Sequence, residues 1–222
     1  TRGVPRLLPD SLSAGALATA AAFEFEWQHY PKTNPYTVDQ FLDWIAPLSP
    51  AFFRDKLVLD AGCGTGGFAA YAAEFGARQV LAMDISGSVE VAANHLNDHP
   101  TLSVIQGSIE SPPLTGGMDF IFSIGVIHHL ESPSAGIRSL ARLLRPGGTL
   151  FVWVYGRENN GPLLALLLPL RRVARRTPYR LLKWGVALPV ATLLYPILRR
   201  VYLPASGPRL SKLPYADYLR WL

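Results

Sequence analysis

The run Val58-Leu59-Asp60-Ala61-Gly62-Cys63-Gly64-Thr65-Gly66-Gly67 constrains this chain more than any other part of it. A short apolar stretch ends in an acid and gives way to a turn dense in glycine. An apolar segment over 68–75 follows and stops at Gly76, which predicts a helix with glycine just past its end. A strand that passes into a helix through glycines can bring bare backbone against a ligand. The helix start then aims its free amides at negative groups.

The alternation continues to residue 155. Strands are expected over 57–60, 80–84, 103–105, 119–124 and 149–155. Ser86 is the expected cap of a helix reaching about Asn97. Ser132-Pro133 reads as a cap followed by proline at the first helical position. That helix is expected to reach Leu144 and stop at Arg145-Pro146-Gly147-Gly148. Apolar strands alternating with helices imply a parallel sheet covered on both faces. Right-handed crossovers put every strand's carboxyl end on one edge, where such sheets bind ligands.

The expected fold class is α/β: a Rossmann-like three-layer sandwich with a mostly parallel sheet. An aromatic N-terminal segment and a helical, basic C-terminal segment flank it. The expected parts are 1–50, an N-terminal helical or lid segment; 51–156, the ligand-binding Rossmann-like domain; and 157–222, a helical basic-apolar extension. Thr37 is a candidate cap for a short helix over 38–45.

Two acids stand at strand ends, Asp60 before the turn and Asp84 after the second strand. S-adenosylmethionine (SAM) carries a sulfonium, an ammonium and a carboxylate. A carboxylate near its cationic centre and amides near its anionic one are complementary to it. Asp84 can accept from both ribose hydroxyls of an adenosine ligand. Its plainer reading is an acid that favours the dipole of the next helix. Gly62, Gly64 and Gly67 also satisfy the dinucleotide pattern G-x-G-x-x-G, which keeps an NAD-type oxidoreductase open. Asp60 directly ahead of the turn and the His128-His129 pair argue against that alternative. A third reading is a non-catalytic membrane-associated module with a degenerate version of the fold.

Residues 56–156 resemble the class I SAM-dependent methyltransferases, in their small-molecule branch. The segments that match are 57–66, 80–86, 106–114, Ser123-Ile124-Gly125-Val126-Ile127-His128-His129-Leu130, and Leu143-Leu144-Arg145-Pro146-Gly147-Gly148-Thr149-Leu150. Their order and spacing are more specific than any one of them.

The resemblance implies that Asp60, Gly62, Cys63, Gly64, Thr65 and Gly66 line the methionine part of SAM. It implies that Asp84 holds the ribose and that Ile85 packs on the adenine. Ser108 and Ile109 are expected at the adenine edge. The family usually has an acid where Ser108 stands, and Glu110 is the substitute considered. Ser123 and its neighbours as far as His128 are expected as the floor near the transferring methyl. His128 is the candidate general base, although such histidines commonly pack beside the cofactor or fix the loop. Cys63 needs to be small rather than nucleophilic. Trp27 and Tyr30 are candidate lid residues over SAM, with packing of the N-terminal segment as the alternative; Tyr36 is assigned to packing.

Composition bears on partners. Residues 1–158 hold 10 Lys/Arg against 15 Asp/Glu, whereas 159–222 hold 11 Lys/Arg against the single acid Asp217. The two parts face different partners. Apolar runs broken by Arg, Lys and Pro over 161–203 suit a membrane surface or a lid over a hydrophobic acceptor. The run 184–198 is shorter than the roughly 20 residues that span a bilayer. Basic residues set among long aliphatic runs argue against nucleic acid. The acceptor is therefore expected to be a small or lipid-like molecule.

The single cysteine, Cys63, excludes an internal disulfide and a multi-thiolate metal site. No metal is expected. Pro9 and Asp10 interrupt the candidate signal segment. A cytoplasmic protein, peripheral to a membrane through 161–203, is the expected setting. Without clear sixth and seventh strands, the chain is expected to be a fragment or to have a shorter sheet than its family.

Overall fold

The computed structural model describes residues 3–29 and 37–155, and beyond them 165, 169, 172–174, 176–189, 192–193 and 196. The chain divides into two compact units, Thr1–Tyr155 and Gly156–Leu222.

The first unit is built on five strands: β1 (Leu57–Ala61), β2 (Gln79–Asp84), β3 (Leu102–Gln106), β4 (Met118–Ile124) and β5 (Leu144–Trp153). They lie in the order β3-β2-β1-β4-β5, and every pairing is parallel. This is the expected Rossmann-like architecture. Chain order reverses between β1 and β4, so the switch point lies at the end of β1.

Local chemistry accounts for the helices that cover the sheet. Ser13 Oγ accepts from the Ala16 amide at 3.1 Å at the start of α1 (Ala14–His29). Thr37 Oγ1 accepts from Gln40 N at 3.2 Å and caps α2 (Val38–Trp44). Gly66, at φ +85°, hands β1 over to α3 (Gly67–Glu74). Then come α4 (Val89–His95) and α5 (Pro133–Arg142). Ser132 Oγ accepts from Ala135 N at 3.4 Å, and Pro133 opens α5 as expected.

Buried side chains divide into two clusters. In one, Phe41 of α2 stacks on Phe68 at 5.0 Å and meets Phe53 and Phe122 at 6.0 and 5.8 Å. Phe41, Phe53, Phe120 and Phe122 are fully buried. Burying each contributes about 1.5–3 kcal/mol, which fastens α2 to the sheet. In the other cluster, Leu140 of α5 packs with Leu59, Met83 and Ile121.

Three expectations need correction. Ser86 does not cap α4, which starts at Val89; its hydroxyl donates to Asp84 instead. The helix expected to reach Leu144 ends at Arg142. Arg145-Pro146-Gly147-Gly148 does not precede the fifth strand but lies inside it. Met118 pairs with Leu144 and Phe120 with Thr149, so a bulge absorbs the extra residues.

In the second unit, α6 (Tyr179–Leu182) continues into a π-helical turn, Lys183–Ala187. Trp184, Leu181 and Val186 are exposed. Among the described residues no helix is long and apolar enough to cross a membrane. Part of the basic-apolar stretch 161–203, with Tyr30 and Tyr36, lies outside the described residues.

Candidate cofactor site

β1 and β2 bring Asp60 and Asp84 to the same edge of the sheet. Asp60 pairs in register with Ala82, and Asp84 ends β2 two residues later. The turn between β1 and α3 is held from below, because the amides of Gly62 and Cys63 both donate to the Met83 carbonyl, at 2.7 and 3.0 Å. A side chain at Gly62 would stand 2.5 Å from Val126, and one at Gly66 2.5 Å from Leu96. Both positions have positive φ as well, so glycine is required twice over.

Asp60 is 2% exposed, and its Oδ2 has no hydrogen-bond partner among the described residues. Burial, with the Asp84 charge adding to it, pushes the Asp60 carboxyl well above the usual range; the Ala69 amide works the other way. A buried carboxylate with one unsatisfied oxygen is costly unless a cation or donor completes it.

Asp84 is better provided. Its Oδ2 accepts from Gly64 N at 2.9 Å, and its Oδ1 accepts from Ser86 N at 2.8 Å and Ser86 Oγ at 2.7 Å. A carboxylate offers about four acceptor positions, so one remains on Oδ2. The acid therefore also holds the glycine turn in shape. Burial and the two nearby aspartates push the Cys63 thiol up, which removes the thiolate a nucleophile needs.

Around these two acids the other candidates separate. Thr65 is buried, and its carbonyl lies 3.3 Å from His95 Nδ1. Ile85 is half-buried beside Asp84, and its carbonyl accepts from Gln106 Nε2 at 3.0 Å. Ser108 and Ile109 are buried after β3. Ser108 Oγ accepts from Glu110 N at 3.3 Å. Glu110, the substitute considered, is turned to α5: its Oε1 accepts from Ser132 N at 3.2 Å and its carbonyl from Ser139 Oγ at 3.0 Å. Ser123 is fully buried and donates to the Ala61 carbonyl at 2.7 Å, so its hydroxyl positions the end of β1.

His128 lies in the turn Ile127–His129 after β4. Both its ring nitrogens are buried without a hydrogen-bond partner among the described residues. Desolvation, with a smaller contribution from His129, holds its pKa below the usual histidine value. The ring is thus an unprotonated imidazole near neutral pH, with one nitrogen able to accept.

Helix α1 crosses this edge. The Trp27 indole lies 3.5 Å from where a side chain at Gly64 would begin. A side chain at Gly87 would meet the Glu24 carboxylate, and one at Gly15 would meet that of Glu131. Phe23 meets His129 edge-on at 5.1 Å. One helix thus touches the loops after β1, β2 and β4.

Sequence reasoning missed Gln106 and Arg6. Gln106 is bracketed by the chain's first residues: its amide donates to the Pro5 carbonyl and its carbonyl accepts from Leu7 N, both at 2.8 Å. Arg6 donates to Gln106 Oε1 at 2.6 Å and pairs with Glu90. No local pattern marks either residue. Among the described residues no cluster of His, Cys, Asp and Glu is arranged to hold a metal.

Comparison with known proteins agrees with this geometry. A family model described as a methyltransferase domain matches residues 59–152. An uncharacterized protein of a Synechococcus species is 29% identical over 195 residues, covering 78% of this chain and 45% of that protein. The mouse (Mus musculus) protein named probable tRNA methyltransferase 9B is 34% identical over 152 residues, covering 63% and 32%. The ubiquinone biosynthesis O-methyltransferase of Erwinia tasmaniensis is 29% identical over 176 residues, covering 72% and 70%. The chain thus spans less than half the length of the first two relatives. With the glycine turn, the two strand-end acids and the parallel sheet on which it folds, the matched segment 59–152 is similar to a methyltransferase domain.

Proposed function

We propose that the protein binds SAM at the glycine-turn edge of its sheet and directs methyl transfer to a small-molecule or lipid-like acceptor. The observation that carries the reading is Asp60 Oδ2, a buried carboxylate oxygen with nothing to accept from, beside an acid and a loop of bare backbone. SAM fits that environment in charge: its cationic groups supply what the oxygen lacks. When bound, SAM supplies an electrophilic methyl on a positively charged sulfur.

The chain's own residues do the rest. Asp60 and the turn over Gly62, Cys63, Gly64, Thr65 and Gly66 receive the amino-acid end. Asp84 accepts from the ribose, Ile85 lies under the adenine, and Ser108 and Ile109 border it. Trp27 excludes water over the turn, and Tyr30 is the second lid candidate. Ser123 acts through the end of β1. His128 takes the acceptor's proton. Positioning and exclusion of water account for most of what such a site contributes.

Calorimetry with SAM tests the cofactor assignment. The wild type binds at micromolar levels, and Asp84→Ala weakens binding by about tenfold or more. Equal affinities would remove Asp84 from the site; an absence of binding to the wild type would remove the function.

The relatives named probable tRNA methyltransferase 9B and tRNA U34 carboxymethyltransferase favour a second reading, in which the acceptor is RNA and the basic residues of 159–222 hold its phosphates. Radiolabelled methyl transfer to total tRNA, set beside a small-molecule extract, decides between the two. Peripheral membrane contact through 161–203 is part of the lipid-like reading and is checked by sedimentation with anionic vesicles.

A further inference from the structure

We infer that Gln106 is a positioning residue for the adenine side of the cofactor site, and that Arg6 keeps its side-chain amide turned the right way. The inference deepens the proposed SAM reading and rests on it. In the sheet Gln106 stands opposite Asp84, at the level where β2 ends. One residue on, the Gly107 amide donates to the Asp84 carbonyl at 2.9 Å. The next carbonyl, that of Ile85, lies past the end of β2 and accepts from the Gln106 side chain instead, at 3.0 Å from Nε2. The side chain thus adds one rung where β2 has run out.

Gln106 is 7% exposed, and its own amide and carbonyl are committed to Pro5 and Leu7. A glutamine amide has a donor end and an acceptor end of nearly equal shape, so its neighbours decide which faces which way. The Arg6 guanidinium can only donate, and it lies 2.6 Å from Oε1. The nitrogen end therefore faces Ile85, whose carbonyl can only accept. Turned over, the amide would set oxygen against oxygen at Ile85 and donors against donors at Arg6. Arg6 also pairs with Glu90 in the first turn of α4. One guanidinium is thereby tied to both flanks of the loop 85–88, through Gln106 on one side and Glu90 on the other.

Residue 85 is the one proposed to lie under the adenine, and residue 84 the one proposed to hold the ribose. Pinning the Ile85 carbonyl from β3 restrains the peptide that follows it. The ordering of this loop is then incurred on folding instead of on binding, which favours the ligand.

Calorimetry with S-adenosylhomocysteine on the full chain, with melting temperatures alongside, tests the assignment. Gln106→Glu keeps an acceptor for Arg6 but sets a second acceptor against the Ile85 carbonyl. It should weaken S-adenosylhomocysteine by about tenfold while melting within about 2 °C of wild type. A residue that merely fastened the N-terminal segment would leave affinity unchanged in this variant, because the contact with Arg6 is retained. Arg6→Ala should weaken binding by about threefold, and Arg6→Lys, which donates to the same oxygen, should restore it. In an Ile85→Ala background Gln106→Glu should cost less than about twofold, because the side chain it positions is gone. Should Gln106→Glu fail to fold or melt lower, Gln106→Met takes its place: it removes the donor without adding charge and should weaken binding by about three- to tenfold.

Wild-type affinity in the Gln106 variant overturns the assignment. Losses that add in full in the Ile85→Ala background overturn it too, since Gln106 then acts elsewhere than through residue 85. Unchanged affinity in Arg6→Ala overturns the part given to Arg6. Failure of the wild type to bind S-adenosylhomocysteine overturns the SAM reading itself, whereas a wild type that binds beside indifferent Gln106 variants overturns only the positioning role.

Discussion

Asp60 shows how a residue that opposes folding can be the one proposed to meet the ligand. Its folded-state pKa is raised by burial and by Asp84, so its contribution to stability is fully present below the unfolded value and is lost as pH rises through the folded one. Asp60→Asn removes that loss. The variant should melt at a higher temperature than wild type at pH 8, with a smaller difference at pH 4, and should bind SAM about tenfold or more weakly. Differential scanning fluorimetry at the two pH values, with calorimetry alongside, checks both halves. The placement of Asp60, Asp84 and the glycines at one edge of the sheet was legible in the sequence because strand, turn and helix are adjacent in the chain. Gln106 and Arg6 were not, since they are 100 positions apart and only the folded sheet brings them together. Ser86 was read as a cap because serine after a strand often is one. The structure has Asp84 claim its hydroxyl first.

At the scale of elements, α1 and α2 differ in how far sequence reveals them. α2 has a threonine cap and a phenylalanine that lands in the core, and its expected limits hold to within a residue. Phe41→Ala should cost about 3–5 kcal/mol in urea unfolding, because five other rings close around the space it leaves. α1 is rich in alanine on all sides and has no apolar stripe to announce which way it faces. Its place is set by distant contacts, from Trp27 to the Gly64 turn and from Phe23 to His129. Trp27→Ala should speed dissociation of S-adenosylhomocysteine about tenfold while moving the melting temperature little, as stopped-flow fluorescence can show. An unchanged off-rate would make Trp27 a packing residue. In β5 the proline and glycines at 146–148 suggested a turn, and the bulge accommodates them within the pairing.

For the whole molecule, the two edges of the sheet treat their acids differently. At the carboxyl edge Asp60 lacks a partner for one oxygen among the described residues. At the opposite edge Asp119 accepts from Leu57 N at 2.7 Å and pairs with Arg145, with Arg78 3.9 Å away. The Leu57 amide, ahead of Arg145, holds the Asp119 carboxyl below its usual value. Its contribution is therefore present above the unfolded pKa and lost as pH falls through the folded one, so it adds to acid sensitivity below about pH 4. Asp119→Ala should cost about 1–3 kcal/mol at pH 7, mainly by leaving the Leu57 amide unpaired, and should leave SAM affinity unchanged. Urea unfolding and calorimetry separate these outcomes. The βαβ rhythm made this sheet legible. The region after Tyr155 has no such rhythm, and its pattern of Arg, Pro and aliphatic residues allowed several readings of one stretch.

The short segment around Arg6 bears on self-association. β3 is an outermost strand, and a strand in that position invites pairing with a neighbouring molecule. By taking the amide and carbonyl of Gln106, residues 5–7 occupy the last rung of that strand. Proteolytic clipping between this segment and α1 would free that rung. It would also loosen the side chain that supports Ile85, so clumping of the protein and poorer adenine recognition should arise together from one cut.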